Sequence, residues 1–107
     1  MGKDLSVLGV GSQLKKLSRT LHEEVTFDKA HVTSVDWRSY PLLTFPEVPA
    51  AQVALIGRPE QPSCGAGEAS SAPVAAGLAN AIFDATGLRL RAVPFTAERV
   101  KAAFAKA

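Results

Sequence analysis

The sequence predicts a single α+β domain, in which two main helices pack on a small mixed sheet and a glycine-rich loop leads into the second, central helix. Three observations support this prediction. Apolar residues recur at helical spacing near both ends of the chain, short alternating segments between them are typical of strands, and 107 residues suit one hydrophobic core. A short C-terminal helix completes the predicted fold.

The first predicted helix begins at Ser12. Leu14, Leu17 and Leu21 recur at spacings of three and four residues, so they share one face, while basic side chains face elsewhere. Two glycines precede Ser12, and each disfavours a helix by about 1 kcal/mol relative to alanine. Serine is also a favourable N-cap residue, so the helix is predicted to begin there.

Four short segments carry the apolar and polar alternation that is typical of strands, namely residues 24–27, 31–35, 52–56 and 88–93. The first two flank a three-residue connection and therefore predict a hairpin. Between residues 36 and 49, prolines and aromatic residues predict an irregular extended segment. Its aromatic side chains are interpreted as packing anchors rather than as a substrate cage, and they are Trp37, Tyr40 and Phe45.

The central helix has the clearest boundaries in the sequence. Ser70 or Ser71 is available as its cap, Pro73 suits its first turn, and Gly87 terminates it. The small residues of this helix predict a close approach to other backbone, and they are Ala75, Ala76, Gly77 and Ala79. After the last predicted strand, Thr96 is expected to cap a short helix that runs through Ala107.

Composition excludes several classes of protein. A net charge of +2 is too small to indicate nucleic-acid binding, and the basic residues near the C-terminus are interpreted as a solvated helix face. No stretch reaches the roughly 18 apolar residues of a membrane span, and residues 1–10 do not resemble a secretory leader. We therefore expect a cytoplasmic protein without nucleic-acid or membrane partners.

The single cysteine offers little chemistry. Cys64 could act as a thiol nucleophile with His22 or His31 as its base, but the spacing of these residues does not favour it. One cysteine and two histidines also lack a zinc-binding pattern, so no metal site is predicted.

A glycine-rich turn before the central helix is the candidate functional site. Gly65 and Gly67 precede Glu68, and glycine lets another molecule approach the main chain closely. Taken alone, this pattern also fits an ordinary tight turn with an acidic residue ahead of a helix. Ser70 and Ser71 lie just beyond it, where capping of the helix is sufficient to explain them.

A longer pattern resembles a known family. The run from Gly65 to Thr96, together with the segments 17–27 and 36–49, resembles the C-terminal part of the molybdopterin-binding large subunit of molybdenum hydroxylases. This superfamily includes xanthine dehydrogenase and aldehyde oxidase. The sequence is most similar to the isoquinoline 1-oxidoreductase and nicotinate dehydrogenase type of bacterial subunit. The resemblance covers residues 11–107 as one domain, whereas residues 1–10 are atypical.

The resemblance implies roles for specific residues. The glutamate after the glycines acts in that family as the general base beside molybdenum, which implies that Glu68 accepts a proton from a metal-bound hydroxyl. Gly65, Gly67 and Ser70 would contact the cofactor, which is molybdopterin cytosine dinucleotide in the intact family enzyme. Such an enzyme hydroxylates an aldehyde or an N-heteroaromatic substrate.

Two hypotheses follow from the length of the chain. A dinucleotide cofactor is too large for one 107-residue domain to enclose, so we expect this chain alone to hold none and to be inactive by itself. Its implied partners are the remainder of the molybdopterin subunit and a 2Fe-2S small subunit. The alternative is a non-enzymatic scaffold or interaction domain that forms a homo-oligomer.

Overall fold

The computed structural model describes residues 2–62, 64–65 and 67–106, with only the backbone for residues 2–8. The described residues form three α-helices, which are α1 (Gly2–Leu21), α2 (Val74–Thr86) and α3 (Ala97–Phe104). They also form two short 3-10 helices between α1 and α2, namely Phe45–Glu47 and Ala69–Ser71. The described residues contain no strand, so the predicted α+β fold with a small mixed sheet is wrong.

The predicted hairpin forms its turn, but its two arms do not form a continuous ladder of β-bridges. Phe27 and Val32 form one isolated antiparallel bridge, and the Asp28 carboxylate accepts hydrogen bonds from the amides of Ala30 and His31 at 2.7 and 2.9 Å. The predicted strands 52–56 and 88–93 form no ladder with any described residue. Alternation makes a segment suitable for a sheet, but a strand is stable only when a neighbouring strand accepts its backbone hydrogen bonds.

Helix α1 begins ten residues before the predicted start. It runs through Gly9 and Gly11, where an added Cβ would meet no atom within 4 Å, so packing does not require glycine at either position. The cost of two glycines is spread over a 20-residue helix, in which each further hydrogen bond favours propagation. Helix α1 also crosses the proposed boundary after residue 10 without a break.

Helix α2 ends where the sequence predicts, before Gly87, but it begins only at Val74, after the predicted caps Ser70 and Ser71. Gly87 follows its last residue with φ 75° and donates its N–H to the Phe83 carbonyl oxygen at 2.7 Å, which is the left-handed C-cap that glycine favours. Pro73 occupies the N-cap position, so Ser70 and Ser71 do not cap α2. One face of α2 packs on α1, but an added Cβ at Gly77 would meet no atom within 4 Å. Gly77 itself therefore makes no close contact, although α2 packs on α1.

The centre of the structure lies where the end of α1 meets the segment before α3. Phe95 is only 6% exposed, and Ser18 and Thr20 on α1 are also buried. The Ser18 hydroxyl accepts a hydrogen bond from the Leu43 amide at 2.9 Å, which fixes the irregular segment against α1. As predicted, Thr96 caps α3: its hydroxyl accepts from the Arg99 amide at 3.3 Å. Helix α3 ends at Phe104, with Ala105 as its C-cap, and therefore stops short of the predicted end at Ala107, which lies outside the described residues.

Large apolar side chains remain exposed over much of the described chain. Trp37 is 78% exposed and Phe45 is 92% exposed. The prediction that these two side chains are internal packing anchors is therefore wrong. Tyr40 is half-buried, and its hydroxyl donates to the Glu23 carboxylate at 2.8 Å. Among the described helices, none combines the length and apolar character that a membrane crossing requires.

Candidate functional site

Glu68 lies where the glycine-rich loop enters the 3-10 helix Ala69–Ser71. It is the N-cap residue of that helix, and its carbonyl oxygen accepts hydrogen bonds from the Ser71 amide at 3.1 Å and the Ser71 hydroxyl at 2.7 Å. These bonds fix the backbone of Glu68 and leave its carboxylate outside the cap. Glu68 therefore lies at a loop-to-helix junction, but the helix that follows it directly is this 3-10 helix and not α2.

Glu68 lines a small cavity between this 3-10 helix and α1. The cavity has a volume of about 160 Å³ and a mostly polar wall. Its wall is formed by Ser12, Lys15, Lys16, Arg19, Glu68 and Ser71. The four residues from α1 are spaced by three, one and three positions, which places them on one face of that helix.

The cavity is rich in positive charge. Lys15, Lys16 and Arg19 face a single carboxylate, that of Glu68, and across the described residues no ammonium or guanidinium lies within 4 Å of it. Arg19 approaches Glu23 instead, with Nε 3.9 Å from Oε2. The arrangement therefore combines a proton-accepting group with cations that can attract an anion.

The other predicted contact residues surround Glu68 in different environments. Gly65 is exposed and Gly67 is half-buried, and neither has the positive φ that would require glycine. Ser70 is half-buried, and its hydroxyl donates to the Gly9 carbonyl oxygen at 3.4 Å, so it ties the loop to α1. Ser63 and Ala66, in the same loop, lie outside the described residues.

A second and larger cavity adjoins the first. It has a volume of about 460 Å³ and shares Lys15 and Arg19 with the cavity of Glu68. Its other lining residues are mainly apolar and include Leu14, Leu42, Leu43, Phe45 and Val48. The two shared cations thus stand between a polar and an apolar concavity.

The remaining candidate residues do not form a catalytic group. Cys64 is exposed, His31 pairs with Asp28 at 3.4 Å, and His22 Nε2 lies 3.1 Å from Glu47 Oε1. The described part of the chain also holds no cluster of three or more histidine, cysteine or acidic side chains that could bind a metal ion. These residues contribute local structure in this region.

Hydrogen bonds perturb two groups near the irregular segment. The Thr44 hydroxyl and amide donate to the Glu47 carboxylate at 2.6 and 2.7 Å, and these bonds, with a smaller contribution from His22, lower the pKa of Glu47 below its ordinary 4.5. The hydrogen bond from the Tyr40 hydroxyl to Glu23 raises the pKa of Tyr40 above its ordinary 10.0. The Tyr40 bond links this segment to the chain just after α1, whereas the Thr44 bonds lie within the segment.

The three cations are a feature of the cavity that the leucine pattern of α1 does not predict. Lys15, Lys16 and Arg19 lie off the leucine face, which by itself predicts only a solvent-facing side of the helix. The sequence signal that could have indicated them is their own spacing, because residues four apart on a helix are neighbours and would form one basic patch. Their position opposite Glu68 depends on long-range packing of the loop on α1, which helical periodicity does not describe.

Comparison with known proteins gives one strong match. A stretch of 93 residues is 52% identical to a subunit of nicotinate dehydrogenase from Pseudomonas putida. The chain is homologous to a segment of that dehydrogenase subunit. The match covers 87% of this chain but 8% of the relative, so the chain spans less than a tenth of its length. No protein-family model matches the chain, and neither does any solved structure.

This match confirms the predicted relationship to the nicotinate dehydrogenase type of subunit. Because so little of the relative is covered, its activity and its other subunits are not properties of this chain by homology alone.

Proposed function

We propose that the chain is the C-terminal portion of a molybdopterin-dependent hydroxylase large subunit and that it supplies the general base, Glu68. The observation that carries this proposal is the position of Glu68 in a polar concavity, within a chain that is 52% identical to a dehydrogenase subunit over 93 residues. Lining a concavity gives a carboxylate access to a reacting molecule, which a general base requires.

The cofactor is proposed to be held mainly by other parts of the intact subunit. The cavity beside Glu68, about 160 Å³, is smaller than the roughly 300 to 1,000 Å³ of typical ligand pockets. The described residues therefore do not fit an enclosed molybdopterin dinucleotide, and this chain would form one wall of such a site. Gly65, Gly67 and Ser70 are proposed as contacts on that wall.

The proposed partners are the remainder of the large subunit and a 2Fe-2S small subunit. The large apolar side chains that are exposed in the described residues support the proposal that a partner covers part of this surface. Trp37, Phe45 and Ile56 are 78%, 92% and 83% exposed. The proposed substrate is an N-heteroaromatic compound or an aldehyde. The relative's name, which specifies nicotinate, favours the heteroaromatic class.

A self-associating scaffold is the second candidate function, and the same exposed side chains favour it. A second copy could cover them, including the outward face of α2, where Phe83 is 40% exposed. Light scattering on the purified chain distinguishes the candidates. A stable dimer supports the scaffold, whereas a monomer that binds co-expressed segments of the large subunit supports the enzymatic role.

Metal analysis and pterin fluorescence test the proposal that other segments of the large subunit hold the cofactor while this chain supplies Glu68. Both are measured first on the 107-residue chain and then on an assembly with the remaining large-subunit segments and the iron–sulfur subunit. We expect molybdenum and pterin only in the assembly. Stoichiometric molybdenum on the 107-residue chain alone would contradict the proposal that other segments hold the cofactor.

A further inference from the structure

We propose that the cavity between α1 and the 3-10 helix Ala69–Ser71 is an oxyanion-binding site that takes the carboxylate or phosphate group of a small molecule. The site is distinct from the proton-accepting role of Glu68, and its test does not depend on that role. The proposal rests on three observations: the charges on the cavity wall, the lack of carboxylate partners for its two lysines, and the volume of the cavity.

The charges of the cavity are unbalanced. Lys15, Lys16 and Arg19 contribute three positive charges to its wall, and Glu68 contributes one negative charge. Outside the wall, the Glu23 carboxylate lies 3.9 Å from Arg19 and leaves the two lysines unbalanced. Lys15 and Arg19 are four residues apart on α1, where like charges repel each other. A bound oxyanion would relieve that repulsion.

The two lysines have no carboxylate partner within 4 Å in the described part of the chain. Many surface lysines are solvated in this way, but here both ammonium-bearing side chains line the same concavity as Arg19. Convergence of three cations on one small volume raises the local concentration of anions above that of an open surface.

The size of the cavity selects a small ligand group. A volume of about 160 Å³ holds roughly five water molecules at about 30 Å³ each. Displacing them makes room for a phosphate or a carboxylate with a few attached atoms, but not for a dinucleotide. The ligand's remaining atoms would extend past Lys15 and Arg19 toward the larger apolar cavity that these residues also line.

The negative charge of Glu68 is expected to weaken binding of the proposed anion. Its carboxylate lines the cavity, so it repels a bound anion, while the three cations attract it. Removing this negative charge is therefore expected to strengthen anion binding. A purely structural role for Glu68 does not predict that effect.

Amide chemical shifts of the isotope-labelled 107-residue chain test the proposal during titration with inorganic phosphate and, separately, with acetate at constant ionic strength. We expect saturable shifts in residues 12–19 and 68–71. Tighter binding of phosphate would assign a phosphoryl ligand, and tighter binding of acetate a carboxylate ligand. Absence of saturation with both probes would overturn the proposal.

Charge variants sharpen the experiment. The double variant Lys15→Gln/Lys16→Gln is expected to weaken binding at least roughly tenfold, and Glu68→Gln to strengthen it roughly fivefold, as expected for charges a few ångströms apart in water. The matched control is Lys29→Gln, which removes an exposed lysine in the hairpin turn and should leave binding unchanged. Lys15→Arg retains the charge and should retain binding. Equal affinity in the double variant and the native chain would overturn the site.

Discussion

The backbone N–H of Phe95 donates a hydrogen bond to the Thr20 carbonyl oxygen at 2.7 Å, so the segment before α3 is joined to the last turn of α1. Both residues are buried, with Phe95 6% and Thr20 2% exposed. This contact brings together parts of the chain that lie 75 residues apart and marks the centre of the described structure.

Phe95→Ala is expected to destabilise the chain by about 3 kcal/mol, because it removes a buried aromatic side chain and leaves a cavity. Urea denaturation followed by circular dichroism measures the change. The matched control is Phe45→Ala, which truncates a side chain that is 92% exposed and should change stability by less than about 0.5 kcal/mol. Equal effects of the two variants would contradict the assigned centre.

A second long-range contact joins Arg99 to Glu24. Arg99 Nη2 donates to both Glu24 carboxylate oxygens at 2.8 and 2.7 Å, but the two side chains are 42% and 45% exposed. Solvent screening limits such a pair, so a double-mutant cycle with Arg99→Ala and Glu24→Ala should give a coupling of about 0.2 to 1 kcal/mol. A coupling well above this range would show that the pair is shielded from water.

Two glycines of the α2 region should respond in opposite directions to alanine. Gly87 has φ 75°, which strains any residue with a Cβ, so Gly87→Ala should destabilise the chain by about 1 kcal/mol. Gly77 lies inside α2 with open space around it, so Gly77→Ala should stabilise by roughly 0.5 to 1 kcal/mol. Thermal unfolding measures both, and the same sign for both would show that α2 ends elsewhere.

Acid should destabilise the folded chain. Hydrogen bonds from Thr44 lower the pKa of Glu47 below 4.5, and backbone amides lower that of Asp28 below 3.8. Because the folded pKa is below the unfolded one, the stabilisation is complete above these ordinary values and is lost as pH falls through the lowered ones. Urea denaturation at neutral pH and near about pH 3 should show the loss, and Glu47→Gln should reduce its size. A pH-independent midpoint would contradict these hydrogen bonds.

Local signals predict the helices better than they predict the fold. Gly87 and Thr96 act within one turn of chain, so their capping roles are recognisable in the sequence. The predicted sheet is wrong, because alternation in residues 52–56 says nothing about whether a partner strand is present. The predicted start of α1 is wrong because propagation over a long helix outweighs two glycines.

The candidate site can be predicted only in part, because sequence signals are local and the site also depends on long-range packing. Glu68 follows its glycines in sequence, so its position at a loop-to-helix junction can be predicted. Lys15 and Arg19 are about fifty residues away along the chain and join the site only through packing of the loop on α1. A single sequence carries no direct record of such a contact.

The most direct test of the proposed function is the turnover of Glu68→Gln in the enzyme assembled with the remaining large-subunit segments and the iron–sulfur partner. Glu60→Gln is the matched control, because Glu60 is an exposed acid that pairs with Arg58 at 2.6 Å and does not line the cavity of Glu68. Glu68→Gln is expected to lower kcat by about 10²- to 10⁴-fold with an unchanged unfolding midpoint, whereas Glu60→Gln should retain activity. A kcat for Glu68→Gln within about a factor of two of the control would contradict the assigned role.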